Sequence, residues 1–270
     1  MAKPKSALEI FTHLEKSNCR ECGEKTCLAF AGAVYQGRKD IRRCPRLDLK
    51  IVEHYSDRES DTGTEEATGE ALVESLKIRL AATDLAQAAQ RTGGRYDGLT
   101  LTLKVLGKDF GVDSGGNFIS DIHVNPWVAG PFLDYVINGK GVDTSDAWVS
   151  FRELKEGQEI SYAFFEKRCQ SVMKRVADTY TDLFDDLTHI FGGRKVAEQF
   201  ESDISVVLHP LPKAPIMICY WKPEDGLASS LNLFFDQSAD HNLPGGSMLT
   251  LCVGIAGMLE KLAQRHGANI

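Results

Sequence analysis

The chain has 270 residues, ordinary hydrophobic (43%) and charged (26%) fractions and a net charge of −7. That suits one large globular domain or a small one plus a medium one, and no run of eighteen apolar residues marks a membrane-spanning helix. The charge is uneven: residues 1–50 carry 11 Lys/Arg against 6 Asp/Glu, while the remainder is strongly acidic, which argues against nucleic-acid binding by the whole chain.

The N-terminus, MAKPKSALEIF, lacks an apolar stretch long enough for a secretory signal, so the expected location is the cytoplasm, where thiols stay reduced. Ser6 followed by Glu9 predicts a capping box and a helix with Leu8, Phe11 and Leu14 on its apolar stripe. Residues 17–26 are polar and contain Gly23, as a ligand-wrapping loop would. From Cys27 the sequence LAFAGAVYQ is Ala-rich and helical, with small residues that allow close packing. A basic loop, GRKDIRR, leads back to Cys44 and Pro45.

Ser56 to Glu70 is acidic and nearly free of apolar residues, which predicts a solvated linker. A helix is expected over roughly 71–91, with Leu72, Leu76, Leu80 and Leu85 near helical spacing and Gly93-Gly94 ending it. Alternation at Leu99, Leu101, Leu103 and Val105 predicts a three-stranded meander through Ile122, with the glycines from Gly111 to Gly116 in turns. Pro131 to Asn138 reads as a short helix with Pro in its first turn. Trp148 to Leu154 reads as an extended edge segment and Tyr162 to Phe191 as a helix broken near Asp178. Ile204–Leu208, Ile216–Trp221 and Ser230–Asp236 read as strands, the first two joined by a rigid turn at Pro210, Pro212 and Pro215. Met248 to Arg265 closes the chain as a helix. The expected fold class is α+β: a small, mainly helical module (residues 1–55), an acidic linker (56–70) and a larger α+β domain with antiparallel strands (71–270).

Four of the seven cysteines, Cys19, Cys22, Cys27 and Cys44, lie in one stretch with two, four and sixteen residues between them. Three close cysteines let a short loop wrap one cubane and a distant fourth closes the cage, so the spacing favours four thiolate ligands to one 4Fe–4S cluster. A structural zinc site is the rival, although zinc folds usually bring two short Cys pairs together and only Cys19/Cys22 is one. The basic end offers a docking face for an acidic redox partner, an offset for the cluster's charge, or simply solvated surface.

The pattern Asn18-Cys19, Glu21-Cys22-Gly23, Thr26-Cys27-Leu28-Ala29-Phe30-Ala31 and Cys44-Pro45 resembles the iron–sulfur module of corrinoid iron–sulfur protein large subunits and of the B subunit of Rnf-type electron-transport complexes. The resemblance implies a 4Fe–4S cluster on Cys19, Cys22, Cys27 and Cys44, used for low-potential electron transfer. Arg20 departs from it, standing where such modules often have a small residue. From about Tyr96 onward the chain resembles an uncharacterised domain family of anaerobic bacteria and archaea. The matching stretches are Trp148–Leu154, Phe191-Gly192-Gly193, Pro215-Ile216 through Trp221, and Leu233–Asp236. Lys222-Pro223-Glu224-Asp225 departs from the two acids that family places after the tryptophan.

Elsewhere the chemistry is sparse. Cys169, Cys219 and Cys252 are isolated and read as small buried hydrophobes. The histidines show no ligand spacing, and His123 and His241 have nothing that directs them to a pocket. The acid pairs Asp185-Asp186 and Glu224-Asp225 read as solvated. Trp148, Phe151, Arg152, Trp221 and Asp236 could line a small-molecule pocket, with core aromatics and capping polar groups the simpler reading. No dinucleotide, P-loop, hydrolase or kinase motif occurs.

Three functions follow. The first is an iron–sulfur protein passing electrons to a partner protein or to a cofactor held by the C-terminal domain, rather than a stand-alone enzyme. The second is a cofactor-binding enzyme or activator, possible company for a corrinoid although no Asp-x-His-x-x-Gly signature is present. The third is a partner-binding protein with a structural cluster.

Overall fold

The structure, a computed structural model, describes residues 6–35, 39, 41–48, 51, 63–155, 157–158, 160–181, 190–197 and 199–265. The chain divides into two compact units, residues 1–68 and 69–270.

In the first unit Ser6 Oγ accepts the Glu9 N–H (3.3 Å) and starts α1 (Ala7–Thr12). α2 (Cys27–Tyr35) starts where Thr26 Oγ1 accepts the Ala29 N–H (3.0 Å). A 3₁₀ turn, Ile41–Arg43, precedes Cys44. Ile10, Leu14, Phe30, Ala31, Ile41 and Leu47 form one small core. Ile10 is the buried residue of α1, Leu14 is buried just past its end, and Leu8, expected on the apolar stripe, is 64% exposed. Residues 37, 38 and 40 of the basic GRKDIRR loop fall outside the described residues.

The next helix, which runs across the boundary between residues 68 and 69, differs from the expectation. α3 (Gly63–Leu80) begins inside the presumed linker, whose residues 56–62 lie outside the described ones. Glu and Ala are good helix formers, and acids in a first turn favour the positive end of the helix dipole, so a helix needs no apolar stripe there. Val73, Leu76 and Leu80 are its buried positions, while Leu72 is half exposed. The long helix expected over 71–91 is two, because Asp84 Oδ1 accepts the Gln87 N–H (3.0 Å) and caps a new one, α4 (Leu85–Thr92). Gly93, at φ 78°, ends it.

The meander has four strands: β1 (Arg95–Tyr96), β2 (Thr100–Val105), β3 (Lys108–Asp113) and β4 (Phe118–Ser120), each antiparallel to the next. Leu101, Leu103, Val105, Phe110 and Val112 face the core. Leu99 precedes β2 and points outward, in a turn where Asp97 Oδ1 accepts the Leu99 and Thr100 N–H groups. Gly111 lies within β3 rather than in a turn; the turn is 113–117, where Asp113 Oδ1 accepts the Gly115 and Asn117 N–H groups. α5 (Pro126–Asn138) starts five residues earlier than expected, since Pro126 and not Pro131 occupies its first turn. Its C-terminal carbonyls are capped by the Arg91 guanidinium, which donates to the Val136 (2.7 Å) and Gly139 carbonyls.

β5 (Trp148–Ser150) pairs antiparallel with β9 (Ser230–Asp236) at the edge of a second sheet, ordered β5-β9-β8-β7-β6. After β5 the expected extension gives way to a 3₁₀ turn, Phe151–Glu153, closed by a Ser150/Glu153 capping box. α6 (Tyr162–Phe165), a π turn (Glu166–Gln170) and α7 (Ser171–Thr179) follow. Residues 182–189, which include Asp185-Asp186, lie outside the described residues. Then come β6 (Arg194–Lys195), β7 (Ile204–Leu211) and β8 (Ala214–Trp221). Pro210 and Pro215 thus sit in strands, not in the turn; a register shift between Leu208 and Leu211 accommodates Pro210, which has no N–H for the ladder. α8 (Ala239–Asn242) leads to α9 (Gly245–Arg265). By length and composition α9 could cross a membrane, but Met248, Leu251, Ile255 and Leu259 are buried, and the helix packs on α5 and α7 in the core of this unit.

Two buried polar side chains pin the segment between α5 and β5. Asp236 accepts the Ser145, Asp146 and Ser238 N–H groups and the Ser145 hydroxyl at 2.7–3.0 Å. Asn242 accepts the Val142 N–H and donates to the Val142 and Lys213 carbonyls. Burial alone would raise the Asp236 pKa, but the donors from Ser145 and Ser238 outweigh it and hold the carboxyl below its ordinary value of 3.8.

Two glycines of α9 give opposite expectations for one substitution. A Cβ at Gly257 meets nothing within 4 Å, so Gly257→Ala should stabilise by about 0.5–1 kcal/mol through helix propensity alone. A Cβ at Gly254 would lie 2.1 Å from the Trp127 ring, so Gly254→Ala should destabilise by about 2 kcal/mol. Denaturant titrations of the two variants check both signs. Asp236→Asn turns an amide N–H toward donors and should cost about 3 kcal/mol at neutral pH. Because the folded pKa is depressed, that stabilisation is present above the unfolded value and is lost as pH falls through the folded one. The gap between wild type and variant should therefore narrow below about pH 4; a pH-independent gap would contradict the assignment.

Candidate metal centre

The loop between α1 and α2 bends through four residues with left-handed backbone: Lys16, Asn18, Arg20 and Gly23, at φ 59°, 49°, 65° and 78°. Asn is among the side chains that tolerate this region; lysine and arginine pay for it, and such strain persists where surrounding contacts hold it. Alternating turns of this kind point backbone N–H groups inward, an arrangement used for anions and iron–sulfur sites. Cys19 and Cys22 come from this loop, Cys27 is the first residue of α2, and Cys44 follows the 3₁₀ turn.

All four cysteines line one small cavity, walled on the apolar side by Leu14 and Phe30. Its enclosed volume is about 10 Å³, and the space between its lining atoms, open solvent included, is about 320 Å³. Cys22 is buried and the other three are partly exposed. Among the described residues, no three His, Cys, Asp or Glu side chains converge closely enough to hold a single metal ion.

One sulfur already receives a backbone N–H group: the Asn18 N–H donates to Cys27 Sγ (3.3 Å). Burial raises the Cys44 pKa most, the Arg46 N–H opposes, and the neighbouring Cys22, Cys19 and Cys27 raise it further. Cation–carboxylate pairs tie the rim. Arg46 donates to Glu21 (2.9 and 3.2 Å) and reaches Glu15 (3.5 Å). Lys39 pairs with Glu24 (2.8 Å) and donates to the Cys22 carbonyl (3.4 Å). Glu21 is held below its ordinary pKa by the Arg46 hydrogen bond and charge.

With Glu15 and Glu24 engaged by cations, sulfur is the ligand type the cavity offers. The donor set fits an iron–sulfur cluster in kind and number. Spacing identified the four cysteines; it did not assign roles to Asn18, Thr26, Lys39 or Arg46, although Asn18 and Thr26 stand beside Cys19 and Cys27 in the motif.

The remaining candidates resolve as structure. Cys169, Cys219 and Cys252 are fully buried; burial pushes the Cys169 thiol up to about 12 and raises Cys219 and Cys252 as well. The aromatic set expected to line a ligand pocket is divided. Phe151 stacks on Phe165 (4.2 Å), Arg152 lies over Tyr162 (3.6 Å), and Trp148 and Trp221 pack with Met217 and Cys219. Asp236 spends its oxygens on backbone donors, as above. Glu224 sits in an exposed turn closed with Leu227. A cavity of about 230 Å³ lies among Asn138, Lys140, Lys155 and residues 240–244, and His241 is on its wall.

Comparison with known proteins agrees with this division. Residues 14–46 match the Fe-S cluster family, which spans all four cysteines. The corrinoid/iron-sulfur protein large subunit of Moorella thermoacetica is 48% identical over 42 residues, 16% of this chain and 9% of that protein. The acetyl-CoA decarbonylase/synthase complex subunit gamma of Methanocaldococcus jannaschii is 38% identical over 53 residues, 20% of this chain and 11% of that protein. The chain thus spans about a tenth of the length of these relatives, and the likeness is confined to the cysteine-bearing end. The class these matches define is that of an iron–sulfur protein. Residues 84–258 match the family described as Domain of unknown function (DUF3786), and the chain belongs to that family. No solved structure matches it.

The burial pattern predicts how the thiols react in the folded, metal-free chain. Iodoacetamide at neutral pH should label only Cys19, Cys22, Cys27 and Cys44, with Cys22 slowest, and should reach the other three after denaturation. Peptide mass spectrometry reads this directly; labelling of Cys252 in the native chain would contradict the burial.

Proposed function

We propose that this protein binds one 4Fe–4S cluster through Cys19, Cys22, Cys27 and Cys44 and uses it to pass single electrons at low potential. The observation that carries the reading is that all four cysteines line one cavity, with the Asn18 N–H directed at the Cys27 sulfur. A cubane gives each of four thiolates its own iron, and the four cysteines that line one cavity supply that number. When bound, the cluster supplies a one-electron couple. The chain's own residues set its surroundings: Leu14 and Phe30 exclude water from one side, and the Asn18 N–H stabilises negative charge on sulfur.

The electron is proposed to go to a partner protein or to a cofactor held by the DUF3786 unit. Both relatives bear the word subunit in their names, which supports a partner. A cytoplasmic setting follows from the same chemistry, since four free thiolates need a reducing compartment.

Anaerobic reconstitution with iron and sulfide tests the reading. About four irons and four acid-labile sulfides per chain are expected. Replacing any one of Cys19, Cys22, Cys27 or Cys44 by Ala should lower iron content at least severalfold, whereas Cys219→Ala should leave it unchanged. One zinc per chain with no labile sulfide would overturn the proposal.

A further inference from the structure

Asn18 and Cys27 are joined by two reciprocal hydrogen bonds across nine residues of chain. The Asn18 backbone N–H donates to Cys27 Sγ (3.3 Å), and Asn18 Oδ1 accepts the Cys27 backbone N–H (2.8 Å). The second bond fills a structural need. Cys27 opens α2, and N–H groups in a helix's first turn have no partner inside the helix. Thr26 Oγ1 accepts the Ala29 N–H from within the helix start, and Asn18 serves Cys27 from the preceding loop. The backbone of Asn18 is left-handed (φ 49°), a conformation that Asn adopts more readily than Ala. Side chain and backbone thus act together: the amide oxygen clamps the loop to α2, and the clamp aims the N–H at the sulfur.

We propose that Asn18 is a positioning residue for the cluster: its side chain fixes Cys27 as a ligand, and its backbone N–H, held at that sulfur, raises the reduction potential. The proposal rests on the cluster reading above. Hydrogen bonds to cluster sulfurs are among the levers that set potential, because they stabilise the extra negative charge of the reduced state.

Thr26 provides the control. It lines the same cavity, but its hydrogen bond serves the Ala29 N–H at the same helix terminus and not a sulfur, so Thr26→Ala weakens α2 and leaves the hydrogen bond to Cys27 in place. Asn18→Asp keeps an acceptor at the position of Oδ1, whereas Asn18→Ala removes it.

The experiment measures midpoint potential and the rate of iron loss to a chelator in the reconstituted full chain for wild type, Asn18→Ala, Asn18→Asp and Thr26→Ala. Asn18→Ala should lose iron severalfold faster and become harder to reduce by about tenfold in the one-electron equilibrium, which is 59 mV. Thr26→Ala should shift that equilibrium less than twofold even where thermal stability falls. Asn18→Asp should hold iron as wild type does. An unchanged potential in Asn18→Ala, or an equal shift in Thr26→Ala, would overturn the proposal while leaving the cluster itself standing. If Asn18→Ala loads no cluster, iron retention by Asn18→Asp supports the clamp and its loss refutes it. A wild-type chain without labile sulfide would overturn the cluster reading and this proposal together.

Discussion

Bringing four cysteine sulfurs around one cavity places like charges side by side as soon as they ionise, and in a partly buried setting that repulsion is screened less than in water. The rise in the Cys44 pKa, to which burial and the other three cysteines contribute, expresses this resistance. A cationic metal core removes it, and the fold is arranged to meet the charge that remains. The Asn18 N–H reaches Cys27, and Arg46 and Lys39 neutralise the rim carboxylates that would otherwise add to the negative field. The strained turn from Lys16 to Gly23 is the backbone cost of this arrangement, and among the described residues the core beside it is small, with Ile10, Leu14, Phe30 and a few neighbours packed there. Folding of the module and binding of its metal are therefore expected to be coupled.

The larger unit spends its buried polar groups differently. Asp236 and Asn242 serve backbone groups of residues 142–146 and 238, Tyr135 joins the Thr92 carbonyl to the Lys213 N–H, and Arg91 caps α5. These side chains hold long crossings between α5, the second sheet and α8 in place.

How much of this was legible in the sequence depends on whether the signal was local. The cysteine spacing is covalent information, and the ligand candidates followed from it. Alternation in β2 marked a half-buried strand, because pleated residues have period two, and the continuous apolar run of β8 marked one buried on both faces. The starts of α3 and α5 and the break at Asp84 depended on caps and propensity competing with an overall acidic or proline signal, and these were misplaced by several residues. Pro210 looked like a turn residue, yet a register shift lets it stay in β7. Asn18 was visible as part of a motif, but its service to Cys27 is a contact across nine residues that no spacing encodes. The candidate pocket around Trp148, Phe151 and Asp236 failed for the same reason: which side chains share a face depends on the sheet order β5-β9-β8, set by long-range pairing.

The central claim is that the four cysteines hold one redox-active 4Fe–4S cluster. Electron paramagnetic resonance of the anaerobically reconstituted, dithionite-reduced chain tests it most directly. One added electron leaves such a cluster with an odd electron count, so the account predicts a low-temperature signal integrating to about one spin per chain, absent before reduction and absent in Cys27→Ala. A chain carrying one zinc and silent after reduction would contradict it.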